Sequence, residues 1–141
     1  MTVQQLFQEL EQNWSDRAAD WDVTLAFNSD PELPGLIADR RRLLQALDCI
    51  LENALSYTGA GGRVAVSSLI GADGAPIFVI EDPGPGMTGP DLDSALAPFG
   101  RVAVSAAHSR PGAGLGINLA AGIMALHQGT TSISSIPGEG T

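Results

Sequence analysis

The stretch EDPGPGM at residues 81–87 places one carboxylate, Asp82, at the end of an apolar run and directly before a loop that contains Gly84 and Gly86. A carboxylate there can accept a hydrogen bond from an exocyclic amino group, and residues without a Cβ let the backbone approach a flat ligand. The pattern suits adenine, whereas guanine would present a carbonyl oxygen to the carboxylate. Because a lost charge-assisted hydrogen bond costs roughly 1.5–3 kcal/mol, we expect about ten- to hundredfold discrimination between these bases.

Three further segments accompany this stretch, and the interpretation depends on them because Asp-Pro-Gly alone is ordinary turn chemistry. They are LENALSYT at 51–58, APFGR at 97–101 and GAGLG at 112–116, and PGEGT follows at 137–141. Taken in chain order, LENALSYT, EDPGPGM, APFGR and GAGLG resemble the N, G1, F and G2 boxes of one protein family, respectively. Their spacing is compatible with that family. That family is the catalytic, ATP-binding domain of sensor histidine kinases, within the superfamily shared with DNA gyrase, Hsp90 and MutL. The resemblance covers nearly the whole chain.

The composition is typical of one small domain, since 141 residues with 44% apolar content suffice for a single core. The formal net charge is −9, and all seven basic residues are arginines. An acidic surface repels phosphate backbones, so we expect no nucleic-acid partner. The absence of lysine excludes a Walker-type phosphate loop. Phosphate binding would therefore need backbone amides, arginine or a metal.

The sequence also bears on cellular location. A lone Cys49 cannot form an internal disulfide, which fits a reducing compartment. The start of the chain has no basic segment followed by an apolar one, so we expect no signal peptide. The least polar stretch, 114–126, is too short to cross a bilayer. We expect a cytoplasmic domain without membrane contact of its own, whose parent protein could still be membrane-anchored.

Helical and strand periodicities alternate along the chain. They predict helices at 2–14, 39–57, 90–97 and 115–127, and strands at 21–27, 63–69, 76–81 and 130–136, with 63–81 as a hairpin. Thr2 and Gln5 predict a capping box, and Asp39 predicts an N-cap. Both periods in one small domain favour an α/β two-layer sandwich, with helices packed on one face of a mixed sheet. The resemblance implies the Bergerat-type ATP-binding fold as a single domain at 1–141, with an ATP lid at 102–111.

The predicted helix at 39–57 carries the metal hypothesis. Residues four apart share a helix face, so Cys49, Asn53 and Tyr57 lie on one side with Ser56 beside them. The amide oxygen of Asn53 suits one position on a magnesium ion whose other ligands are phosphate oxygens and waters. A solvated asparagine is the alternative, and the resemblance favours the metal ligand.

The chain departs from the family pattern on this same face. Histidine kinases usually carry a second asparagine one turn before the metal-binding one, and a lysine or arginine three residues after it. Those positions are Cys49 and Ser56 here. Both changes bear on the rate of phosphoryl transfer rather than on nucleotide binding. A redox-sensitive thiol is an alternative reading of Cys49, although a cysteine bordering the core is more often a small hydrophobe.

Gly112, Gly114 and Gly116 open the last predicted helix, where unpaired backbone N–H groups and the positive end of the helix dipole favour phosphate. A dinucleotide-binding fingerprint would instead follow the first strand of a βαβ unit. The resemblance implies that Phe99 anchors the lid and that Arg101 steadies the γ-phosphate as a catalytic residue beside Asn53. It implies nucleotide contacts for Asn53, Tyr57, Asp82, Gly84, Gly86, Met87, Arg110, Gly112, Gly114, Leu115, Gly116 and Thr141. The last of these supports adenine through water.

The resemblance implies a two-component signalling enzyme with ATP and Mg²⁺ as cofactors. Such a kinase transfers the γ-phosphate to a histidine on a separate dimerisation domain, of the same or a partner kinase, and acts on a response regulator indirectly. The two histidines here, His108 and His127, are not followed by an acceptor pattern like H-E-x-x-x-P. We therefore expect the catalytic half without the phosphoacceptor domain, and no autophosphorylation by this chain alone.

Three alternatives stay open. One is a degenerate nucleotide-binding module that signals through conformation, which Cys49 and Ser56 favour. Another is an ATPase of the gyrase or Hsp90 type. Those enzymes use a glutamate one helical turn before the metal-binding asparagine, and the Cys49 thiol replaces it poorly at neutral pH. The third is a serine kinase of the anti-sigma-factor type, which shares these boxes.

Overall fold

The structure, a computed structural model, describes residues 1–96 and 116–141. Its elements are α1 (Val3–Asp20), β1 (Thr24–Ser29), α2 (Arg40–Tyr57), β2 (Arg63–Ile70), β3 (Pro76–Glu81), α3 (Gly89–Leu96) and α4 (Ile117–Leu126). The predictions for the lid at 102–111 and for Phe99, Arg101, Arg110, Gly112, Gly114 and Leu115 lie outside the described residues. None of the described helices combines the length and the apolar character that a membrane span requires.

The three strands form a mixed sheet in the order β1-β2-β3. Strand β1 runs parallel to β2, with Thr24 opposite Arg63, and β2 runs antiparallel to β3, with Ala65 opposite Glu81. The predicted hairpin and the predicted mixed α/β sheet are both confirmed. A parallel neighbour needs a crossover, and α2 supplies it between β1 and β2.

The core lies between the sheet and the two long helices. Val64 and Val66 of β2 alternate inward and pack against α1 and α2, which contribute the fully buried residues Leu6, Leu10, Leu51 and Leu55. Helix α2 also contributes Leu43, Leu47 and Ala54 to this core. Ile50 instead packs against a smaller cluster with Met87 and Ile117. Helix α2 therefore contacts both the main core and the smaller cluster formed by the loop after β3 and the start of α4.

Both predicted caps are confirmed. The Thr2 side chain accepts from the Gln5 backbone, and the Gln5 side chain accepts from the Thr2 backbone. The Asp39 carboxylate accepts from the Arg42 N–H at 3.1 Å and begins α2. These local hydrogen bonds satisfy backbone donors that a helix start leaves unpaired.

The prediction for the end of α1 was wrong by about one and a half turns. The helix continues to Asp20 because Trp14 and Ala18 extend its buried stripe, and Trp21 caps it instead of starting β1. Arg17 supports this last turn, since its guanidinium carbon lies 4.6 Å from the centre of the Trp14 ring.

The predicted strand at 130–136 was also wrong. The segment makes only an isolated bridge between Ile136 and Gly140, within a tight turn. Its Ser135 side chain binds the loop after β3, because the Met87 N–H donates to the Ser135 hydroxyl at 2.7 Å. Hydrogen bonds to a loop replace the ladder that the alternating pattern predicted.

Candidate nucleotide-binding site

A small cleft lies between the end of α2, the loop after β3 and the turn that leads to Thr141. Its lining residues are Asn53, Tyr57, Asp82, Pro85, Gly86, Met87 and Thr141. Six of these seven were selected from the sequence. Pro85 was missed, because its side chain carries no polar group that would suggest a ligand. The structure therefore brings together predicted residues from three distant segments of the chain.

Asp82 is the acidic residue in the lining of this cleft. Its backbone N–H donates to the Thr141 carbonyl at 2.8 Å, and its own carbonyl accepts from the Thr141 N–H at 3.1 Å. Its carboxylate accepts from the Gly84 N–H at 2.9 Å. Burial raises the pKa of Asp82 from 3.8 to about 6, although hydrogen bonds from the Gly84 and Thr141 backbones act in the opposite direction. Because this pKa lies below 7, most of the carboxylate is ionised at neutral pH, and the hydrogen bond from Gly84 fixes its orientation.

Two glycines allow the loop after β3 to approach its neighbours closely. A Cβ on Gly84 would lie 2.7 Å from the carbonyl oxygen of Tyr57, at the end of α2. Gly86 has a φ of +73°, and a Cβ there would collide with the carbonyl of Ile136. Since a positive φ and close backbone contacts both favour glycine, the predicted loop residues are needed to build this end of the cleft.

Ser135 ties the same loop to the turn before Thr141. Its hydroxyl accepts from the Met87 N–H at 2.7 Å, donates to the Gly140 carbonyl at 2.9 Å and lies 2.8 Å from the Thr141 hydroxyl. Sequence reasoning missed this residue, because its alternating surroundings suggested a strand. No local pattern signals the contact with Met87, which spans 48 residues of sequence.

Asn53 contributes to the cleft from α2. It is 7% exposed and lines the cleft, so the alternative of an asparagine solvated on a helix surface is excluded. In the part of the chain that is described, no three His, Cys, Asp or Glu side chains form a group that could hold a metal. A magnesium ion that takes one amide oxygen from Asn53 and its other ligands from phosphate and water would fit this donor set.

Cys49 and Ser56, where the chain departs from the family pattern, do not line the cleft. Ser56 is completely buried. Cys49 is half-buried against the start of α4, where a Cβ on Gly116 would lie 2.8 Å from the Cys49 Cβ. Burial raises the pKa of the Cys49 thiol, and the charges of Glu52 and Asp48 raise it further. The thiol is therefore neutral at physiological pH, which argues against a reactive thiolate.

His127 connects α4 to the beginning of α2. Its Nε2 accepts from the Asp39 N–H at 3.1 Å, and its Nδ1 lies 2.9 Å from the carbonyl oxygen of Ile123. Since Nε2 acts as an acceptor, the proton of the neutral ring is on Nδ1 and is donated to Ile123. Both ring nitrogens thus have structural roles.

Comparisons with known proteins agree with this geometry. The profile of the family described as histidine kinase-, DNA gyrase B- and HSP90-like ATPase matches residues 38–141. The cell-division control histidine kinase PdhS of Brucella canis is 35% identical over 127 residues, which cover 84% of this chain and 12% of PdhS. The alginate biosynthesis sensor protein KinB of Pseudomonas aeruginosa is 30% identical over 135 residues, covering 96% of this chain and 22% of KinB.

Among solved structures, full-length ShkA in complex with AMPPNP resembles the chain with a TM-score of 0.84 and 25% identity. The match covers 99% of this chain and 28% of ShkA. The chain thus spans less than a third of the length of each of these three proteins.

Proposed function

Since the chain belongs to the family of histidine kinase-, DNA gyrase B- and HSP90-like ATPases, we propose that it is one catalytic domain of a two-component sensor kinase. In this proposal it binds Mg-ATP and passes the γ-phosphate to a histidine on a separate dimerisation domain. A response regulator would then receive the phosphate from that histidine. The names of PdhS and KinB, a histidine kinase and a sensor protein, support this choice within the family.

The observation that carries the proposal is the part of the cleft formed by Asp82, Thr141 and the loop after β3, which we call the base end. Asp82 presents a fixed, ionised acceptor beside Thr141, and the loop with Gly84 and Gly86 gives a flat ligand close access to the backbone. An adenine amino group is the complementary donor. The ShkA structure supports a nucleotide in this fold, because AMPPNP is an analogue of ATP.

Asn53 is proposed to hold magnesium in the part of the cleft that α2 forms, which we call the metal end. When bound there, the ion would neutralise phosphate charge and orient the γ-phosphate. Arg101 is proposed from the sequence to steady the same phosphate, as are contacts of Arg110, Gly112, Gly114 and Leu115 with the nucleotide. Gly116 lies where the helix N-terminus of α4 begins, which would favour phosphate nearby.

The acceptor histidine is proposed to lie in another domain. Neither His108 nor His127 is followed by an acceptor pattern. His127 uses both ring nitrogens in internal contacts with Asp39 and Ile123. Accepting a phosphoryl group on either nitrogen would break one of them, so we expect no autophosphorylation of this chain alone.

A second candidate function is a nucleotide-binding signalling module without kinase activity. Two observations favour it: the neutral, half-buried Cys49 thiol and the completely buried Ser56 both stand where the family usually has polar or charged groups. The same neutral thiol disfavours an ATPase of the gyrase or Hsp90 type, since it replaces the carboxylate that would activate water.

Labelled ATP distinguishes these candidates. The chain is incubated with γ-labelled ATP and magnesium, alone and with a histidine-bearing dimerisation domain of a related sensor kinase. Acid-labile label on the acceptor alone is the expected result. Calorimetric ATP binding without transfer to any acceptor would favour the signalling module, and rapid hydrolysis without an acceptor would favour the ATPase. Absence of ATP binding would contradict the proposal altogether.

A further inference from the structure

The hydroxyl of Ser135 lies at the centre of three contacts beside the base end of the cleft. The Met87 N–H lies 2.7 Å from it, the Gly140 carbonyl 2.9 Å and the Thr141 hydroxyl 2.8 Å. A serine hydroxyl has one proton to donate and two lone pairs that accept. Three contacts therefore use its full hydrogen-bonding capacity.

The roles of two neighbours are fixed by their chemistry. The Met87 N–H can only donate, and the Gly140 carbonyl can only accept. The Ser135 proton must lie between its own oxygen and that of Gly140, because two oxygens 2.9 Å apart with no proton between them would repel each other. Ser135 then has no proton left for Thr141. The Thr141 hydroxyl is thus the donor in their 2.8 Å contact.

This orientation determines what Thr141 presents to the cleft that it lines. With its proton directed at Ser135, the Thr141 oxygen can act only as an acceptor toward a ligand that contacts it directly. Asp82, when ionised, is also only an acceptor. Both side chains can then accept a hydrogen bond from a purine that carries an amino group at position 6. Neither side chain has a proton to donate to the oxygen of a 6-oxo purine.

We propose that Ser135 is a specificity-determining residue that keeps the Thr141 hydroxyl an acceptor and so favours 6-amino over 6-oxo purine nucleotides. The inference rests on the proposed nucleotide-binding function and deepens it. Ser135 itself acts through Thr141 rather than by contact with the base. Without Ser135, the Thr141 hydroxyl is free to rotate and donate, so one of the two obstacles to a 6-oxo group is removed.

The test compares ATP with ITP, which differ only in the position-6 group and the adjoining ring proton. Dissociation constants for both are measured calorimetrically on the 141-residue chain. The unmodified chain should prefer ATP by about ten- to hundredfold. Ser135→Ala should reduce the ratio of the ITP to the ATP dissociation constant by at least about fivefold. Tighter binding of ITP should account for part of this reduction. Ser135→Thr, which keeps a hydroxyl, should restore the ratio.

Ser134→Ala is the matched control, because Ser134 is exposed and adjacent, and its ratio should equal that of the unmodified chain. A purely structural role of Ser135 would weaken ATP and ITP by the same factor and leave the ratio unchanged, which overturns the inference. If Ser135→Ala does not fold, the same two dissociation constants are measured for Thr141→Val. A ratio equal to that of the unmodified chain would also overturn the inference. Failure of the unmodified chain to bind ATP would instead overturn the proposed function, and this inference with it.

Discussion

The part of the cleft proposed to bind the base and the part proposed to bind magnesium are built in different ways. At the base end, main-chain hydrogen bonds between Asp82 and Thr141 join two segments, and Ser135 adds a third link through Met87. At the metal end, the described cleft offers one amide, that of Asn53, projecting from α2. The first end is complete before any ligand binds. The second would need phosphate and water to complete the coordination of the proposed cation.

This difference separates specificity from chemistry. Substitutions at the base end should change which base binds and how tightly, with little effect on the dependence on magnesium. Substitutions at the metal end should change the magnesium dependence and the transfer rate, with little effect on base choice. Each prediction below tests whether the two ends are independent in this sense.

Asn53→Ala should have the largest effect. If the bound cation supplies several kcal/mol of charge stabilisation in the transition state, losing its protein ligand should slow phosphoryl transfer by about a hundredfold or more. The proposed function predicts that magnesium increases ATP affinity, and this increase should disappear in the variant. Transfer to a dimerisation domain and ATP binding with and without magnesium are the measurements.

The matched control is Asn13→Ala, which removes an exposed amide from α1. Adenosine carries no phosphate, so its affinity should be unchanged in both variants. A parallel loss of adenosine affinity in Asn53→Ala would mean that the two ends are coupled, and an unchanged magnesium dependence would remove Asn53 from the metal site.

Asp82→Asn should weaken ATP binding by about ten- to hundredfold, because a neutral amide replaces a charged acceptor. The same change should not destabilise the fold at neutral pH. Burial raises the pKa of Asp82 from 3.8 to about 6, so keeping it ionised costs the folded state on the order of 3 kcal/mol. Urea unfolding at pH 7 should show equal or greater stability for the variant. A marked loss of stability would contradict this account of the carboxylate.

The raised pKa of Asp82 also predicts how the stability of the fold and the affinity for ATP depend on pH. The folded state holds the proton more tightly than the unfolded state, so this group favours folding below about pH 4, and that contribution is lost as the pH rises through about 6. ATP binding should have the opposite trend and weaken below about pH 6, by up to about tenfold per unit, as the charged acceptor is lost. Asp82→Asn is the control, since its affinity should follow only the titration of the phosphates. Identical pH profiles for the two proteins would contradict the role of Asp82.

Sequence patterns predicted the elements whose stabilising contacts are local. Helix α2 and its Asp39 cap, the β2–β3 hairpin and most of the cleft residues follow from periodicity, capping chemistry and a motif that resembles a known family. The error at 130–136 occurs where a contact between residues far apart in the sequence contributes. The segment at 130–136 alternates like a strand, yet the Ser135 contacts with Met87 and Gly140 hold it as a turn. Periodicity does not reveal such partners.

Cys49→Ser should have the smallest effect, although Cys49 stands where the family usually has a polar residue. The thiol is absent from the cleft lining and packs against the start of α4, and burial raises its pKa. A hydroxyl of similar size should therefore change ATP affinity and transfer rate by less than about twofold, as mutations away from special features usually change stability by under about 0.5 kcal/mol. Gly116→Ala is the variant to compare with it. The added Cβ would lie 2.8 Å from the Cys49 Cβ and 2.9 Å from the Cys49 carbonyl oxygen. This close contact should separate α4 from α2. If Cys49→Ser alone slowed transfer tenfold at unchanged ATP affinity, the thiol would belong to the metal end, and that end would contain more than one protein group.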